Sequence, residues 1–148
     1  EPPRGCGGGV RRAADVGRDA GTVPPHGFEG DAEDMQALAN MAAARGGQAW
    51  VTHDRESAVH DADVVYVKSW GALSAFGRPA EGRSLRVTYR DWKMSDTGRS
   101  IVLHCLQVRR TVEVDDAVLD GPQSAVSDQA ETRMHVPRAL TLALCRPM

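Results

Sequence analysis

The stretch richest in chemistry is residues 100–110, Ser-Ile-Val-Leu-His-Cys-Leu-Gln-Val-Arg-Arg. It begins as a short apolar run at 101–103, of the kind that forms a fully buried parallel strand. It then turns abruptly into an imidazole, a thiol and two guanidinium groups at His104, Cys105, Arg109 and Arg110. Open α/β sheets bind ligands just beyond the carboxyl ends of their strands, so a strand that runs into such groups marks a candidate site. The plain alternative is a core strand followed by a solvated basic turn, with Cys105 as a small buried hydrophobe. These residues alone leave both readings open.

The elements that must hold these groups can be read along the chain. Asp31 caps a helix whose apolar positions Met35, Leu38, Ala39 and Ala42 follow helical spacing, and Gly46-Gly47 ends it. Strands are expected at 48–52, around Trp50 and Val51, at 63–67, and at the run from Ile101, with a third core strand at 124–127. Short helical segments fit 55–60 and 115–119, the second closed by Gly121-Pro122. Residues 73–86 read as a loop, and 85–94 as a helix stopped by Gly98. The last helix spans 129–144 with Leu140 and Leu144 on one face. Pro137 would cost about 3 kcal/mol beyond a first turn, so this helix is expected to break or begin there. Strands alternating with helices imply an α/β fold, a three-layer Rossmann-like parallel sheet with helices on both faces.

Composition narrows the classes. A chain of 148 residues, 41% hydrophobic and 26% charged, fits one globular domain. A net charge of -2 gives no general attraction to nucleic acid or to an anionic membrane. Cys6, Cys105 and Cys145 are odd in number and widely spaced, which is neither a disulfide framework nor a metal-binding pair, so a reduced cytoplasm is the expectation. No stretch reads as a membrane span or a signal peptide. His26, His53, His60 and His135 show no metal-ligand spacing and are assigned no role; no metal and no cofactor is expected. Residues 1–25 are rich in Gly, Arg, Ala and Asp and end in Pro24-Pro25, which reads as a disordered tail preceding a domain at 26–148. Its Gly5-Cys6-Gly7-Gly8-Gly9 run follows no strand, which argues against a generic nucleotide-binding module.

The block at 104–110 resembles the His-Cys-Leu-Pro signature of the ornithine/aspartate carbamoyltransferase family. Two further blocks, Asp-Val-Val-Tyr-Val-Lys-Ser-Trp-Gly-Ala-Leu at 63–73 and Asp-Gln-Ala-Glu-Thr-Arg-Met-His-Val at 128–136, agree in order and spacing. They are most similar to the branch that carbamoylates N-acylated ornithine. The resemblance covers about residues 28–144 and only the carboxyl-terminal, amino-acid-binding half of the family. Relatives carry a helix and a first strand where 1–25 stands, and this segment resembles neither. The amino-terminal domain with its Ser-x-Arg-Thr phosphate loop is likewise unmatched, as in a truncated or frame-shifted reading frame.

The resemblance implies roles. The carbonyls of Cys105 and Leu106 would accept from the carbamoyl amide, and Arg133 would contact carbamoyl phosphate. The Cys105 thiol and His104 would lie at the reacting amine, while Lys68, the Leu106 backbone and Arg109 would hold ornithine or an N-acylornithine. Taken singly, Lys68 and Arg133 read equally well as surface charges, and Trp70 as packing. Three departures stand out. Gln107 replaces the family's Pro, whose preceding bond is typically cis, so the Leu106–Gln107 bond is expected to be trans. Thr111 replaces an Asn, and Glu113 stands where the N-acetylornithine enzymes have a lysine that can be carboxylated. The functional expectation is the acceptor-binding half of a carbamoyltransferase of arginine biosynthesis, inactive alone and not oligomeric, although full-length relatives are trimers. The alternative is a non-catalytic, amino-acid-binding remnant of that fold.

Overall fold

The computed structural model describes residues 7–24, 26, 29–60, 62–68, 100–105, 108–111 and 113–145. The expected loop at 73–86, the helix at 85–94 and the Leu106–Gln107 bond lie outside these residues. The chain divides into two compact units, one built on 1–61 and 70–86 and the other on 62–69 and 87–148.

The first unit holds α1 (Gly7–Asp15), β1 (Ala20–Thr22), α2 (Ala32–Ala43), β2 (Ala49–Val51) and α3 (Arg55–Val59). The disorder expected over 1–25 is therefore corrected across 7–22. Nothing in Ala-Gly-Thr announces a strand, but its pairing is imposed by neighbours. β1 runs parallel to β2 with Ala20 opposite Ala49 and Thr22 opposite Val51. The Asp19 carboxylate accepts from the Gln48 amide at 2.8 Å and so fixes that register at its start. Gly47 is buried with its Cα against the Gly17 backbone, where a Cβ would fall 2.7 Å from the Gly17 carbonyl carbon. Ala14 of α1 and Ala42 of α2 are fully buried, small side chains that let the two helices approach.

α2 follows the sequence expectation closely. Asp31 caps it by accepting from the Glu33 amide at 2.9 Å, and Glu33 and Asp34 sit where the positive helix terminus favours them. Gly46 adopts φ 82°, and the Gly47 amide donates back to the Ala42 carbonyl at 3.0 Å. That left-handed residue is what ends the helix. α3 is capped by Asp54, whose carboxylate accepts from Glu56 and Ser57 amides.

The second unit pairs β3 (Val64–Val67) in parallel with β4 (Ile101–His104), Val64 opposite Ile101 and Val67 opposite His104. Val65, Val67, Val102 and His104 form the buried face, whereas Val64, Tyr66 and Ile101 are more than two-fifths exposed. β4 is thus buried on one face, where the sequence suggested burial on both. After it come two helices, α4 (Asp116–Leu119) and α5 (Val126–Leu144). The expected third strand at 124–127 is reduced to one bridge, Val102 to Ser124, and α5 begins at Val126. Nor does Pro137 interrupt the last helix: it lies inside α5, and Leu140 and Leu144 are exposed. The fold class is α/β with parallel strands and flanking helices, as the alternation implied.

Candidate functional site

β3 and β4 are parallel and end together, so the residues that follow them leave the sheet side by side. Val67 pairs with His104, which places Lys68 and Cys105 as the next residues at that carboxyl edge. Lys68 is exposed and Cys105 half-buried with a free thiol.

α5 is the element that brings a cation to this edge. Val126 is buried at its start, and the Gln129 side chain accepts from the His104 amide at 2.9 Å while donating to the Tyr66 hydroxyl at 3.3 Å. One glutamine thereby ties the helix to both strands. One helical turn further, the Arg133 guanidinium donates to the Cys105 carbonyl at 2.8 Å. Arg133 and the Cys105 backbone, 28 residues apart, are thus brought together as a set.

A second group lies at the tight turn over 109–114. The Glu113 amide donates to the Arg109 carbonyl at 3.0 Å, and the Thr111 amide to the Val114 carbonyl at 2.9 Å. Thr111 takes φ 59° to make this turn, a left-handed conformation that a β-branched residue adopts only under strain. An Asn enters that region more easily. Glu113 is completely buried, and its carboxylate accepts from the Arg109 amide at 3.0 Å and from Arg109 Nε at 2.8 Å. Its Oε2 lies 3.3 Å from His104 Nε2, and that ring is also fully buried. A buried carboxylate needs such cationic and amide partners to offset its lost hydration.

His104 therefore faces Glu113 inside the unit, and Glu113 engages Arg109. Leu106 lies outside the described residues. A recess of about 390 Å³ in the first unit, between α2 and β2, is lined by none of the predicted site residues. Sequence reasoning missed Gln129 and the coupling of His104 to Glu113. No spacing rule signals either, since each contact bridges a loop.

Residues 10–144 match the family model described as aspartate/ornithine carbamoyltransferase, Asp/Orn binding domain. The chain belongs to the aspartate/ornithine carbamoyltransferase family. The match begins inside the segment read as a tail, in agreement with α1 and β1. Among carbamoyltransferases, the N-acetylornithine carbamoyltransferase of Xanthomonas campestris pv. campestris is 42% identical over 115 residues, 74% of this chain and 34% of that protein. The ornithine carbamoyltransferase of Parafrankia sp. is 35% identical over 122 residues, 78% of this chain and 38% of that protein. A crystal structure of acetylornithine transcarbamylase complexed with acetylcitrulline superposes with a TM-score of 0.77 at 36% identity, covering 93% of this chain and 43% of that one. The chain thus spans about a third of the length of the Xanthomonas N-acetylornithine carbamoyltransferases it matches.

Proposed function

We propose that this chain is the amino-acid-binding part of a carbamoyltransferase acting in cytoplasmic arginine biosynthesis, with ornithine or an N-acylornithine as acceptor. The reaction is attack of a neutral amine on the carbonyl carbon of carbamoyl phosphate. The new C–N bond forms, the C–O bond to phosphate breaks, and the amine loses a proton. Orientation of both reactants and offsetting of developing negative charge are what a protein contributes here.

The observation that carries this reading is the 2.8 Å contact between Arg133 and the Cys105 carbonyl at the carboxyl edge of two parallel strands. A guanidinium suits the phosphate, and the carbonyls of Cys105 and Leu106 suit the carbamoyl amide. Lys68 at the same edge and Arg109 are the groups for the acceptor, with the Cys105 thiol near the reacting nitrogen. His104 and Glu113 act from beneath: Glu113 replaces the modifiable lysine with a carboxylate that holds Arg109. In the family an amino-terminal domain shares the position of carbamoyl phosphate, so residues 1–148 assayed by themselves should transfer no carbamoyl group.

Two measurements test this. Calorimetric titration with N-acetylornithine or ornithine should show binding that Arg133→Ala leaves and Lys68→Ala weakens; no binding of either would sink it. Carbamoyl transfer by the chain alone should not exceed that of a Cys105→Ala, Arg133→Ala double variant. The alternative, a remnant that binds an amino acid without contributing to transfer, is favoured by the burial of His104 and the commitment of Arg109 to Glu113.

A further inference from the structure

The carboxyl ends of β1 and β2 carry a second cluster of side chains. His26 follows β1 by four residues and His53 follows β2 by two, and the parallel pairing of Thr22 with Val51 brings both to one edge. Glu29 joins them: its Oε1 lies 4.0 Å from His26 Nδ1 and 3.5 Å from His53 Nε2. One donor atom from each residue falls within 4.8 Å of the others. Donors on a tetrahedral zinc ion with bonds near 2.0–2.1 Å stand about 3.3 Å apart, so small side-chain movements close this set on an ion.

We propose that His26, Glu29 and His53 form a binding site for a divalent transition metal, with Zn2+ the ion its two imidazoles and one carboxylate suit best. The hydrogen bond of His53 is an independent observation. Its Nδ1 lies 3.0 Å from the Pro24 carbonyl, and a carbonyl oxygen can only accept. Nδ1 is therefore the donor in that contact, and Nε2 is the ring nitrogen on the Glu29 side. A backbone carbonyl on the second ring nitrogen is also the usual way a metal-bound imidazole is oriented. The His26 and His53 rings stack with centroids 4.0 Å apart, which presents both imidazoles to one small volume. One divalent ion would draw on all three groups and leave a fourth position for water.

The expectation that these histidines have no role rested on sequence spacing alone; 24 residues and a parallel register separate His53 from Glu29. The site stands or falls independently of amino-acid binding. Its test uses the full chain, free of any affinity tag, in a Cys6→Ser, Cys105→Ser, Cys145→Ser background that removes competing thiols. Titration with ZnCl2 should give one equivalent bound. His26→Gln and His53→Gln should each weaken binding at least about tenfold, while His60→Gln should not. Affinity should fall as the pH is lowered, because protons compete with the ion for its nitrogen ligands. Unchanged Zn2+ affinity in either variant, or an equal loss in His60→Gln, would overturn the site.

Discussion

The two parallel strand pairs of this molecule hold their ends together in opposite ways. β3 and β4 are four residues each, alternate cleanly between a buried and an open face, and close over a buried His104–Glu113 pair that the exposed Arg109 side chain engages from the surface. β1 and β2 are three residues each and expose Trp50 and Val51. They are held by an aspartate on a backbone amide and by glycine backbones in contact. The first kind of pair is organised by a side-chain network under the sheet, the second by close approach of main chains. Charge inside one pair and absence of side chains inside the other do the same structural work.

Substitutions that remove each device should separate the two. The largest expected effect is Glu113→Ala, which strands a buried imidazole and an Arg amide and should cost about 3–5 kcal/mol in urea unfolding. A loss near zero would mean the network is dispensable. Gly47→Ala should come next, at about 1–3 kcal/mol, because its Cβ must displace the Gly17 backbone. Hydrogen exchange should then rise over 17–22 and stay unchanged over 101–104. Thr111→Asn should move in the other direction and raise stability by about 1 kcal/mol, since Asn tolerates the left-handed turn that positions Glu113. Unaltered or lower stability would show that φ 59° is not strained here.

The smallest effect belongs to the exposed cluster beside that turn. Arg110 donates to both Asp120 oxygens at 2.7 and 2.8 Å and to Asp116 at 2.8 Å. These hydrogen bonds hold the Asp120 carboxyl below its ordinary range and raise the guanidinium's own affinity for its proton. A depressed carboxyl stabilises the folded state above its unfolded pKa and loses that contribution as pH falls through the folded value. Asp120→Asn should therefore destabilise slightly at neutral pH and progressively less as pH falls below the ordinary aspartate range, and salt should blunt the difference. A penalty that persists in acid would rule out this pairing as its cause.

How much of this was legible follows the same divide. Asp-Val-Val-Tyr-Val at 63–67 and the apolar start of 101–104 signal strands because buried side chains specify them, and Asp31 and Gly46 signal a helix because caps have distinct chemistry. β1 was invisible because Ala-Gly-Thr carries no apolar pattern, and α1 was hidden by its leading Gly-Gly-Gly although Val10, Ala13 and Ala14 follow helical spacing. Ser124 looked like the start of a strand for its neighbours Ala125 and Val126, yet the one bridge it makes ends where α5 begins. For the site, Arg133, Lys68 and Cys105 were named through family likeness. The fit of Glu113 against His104 and Arg109 depends on a turn whose backbone no residue pattern encodes.

Pro137 stands four positions beyond Arg133 in α5 and has no amide hydrogen, so the main-chain oxygen of Arg133 lacks the donor a continuous helix would give it. The helix start is anchored by the buried Val126 and by the hydrogen bond of Gln129 to β4, and the residues from Glu131 to Cys145 are all exposed. The helix is in effect a clamped beam with a soft joint at its midpoint. Its outer length can sway or be clipped by a protease while the guanidinium at the joint keeps its grip on the strand below.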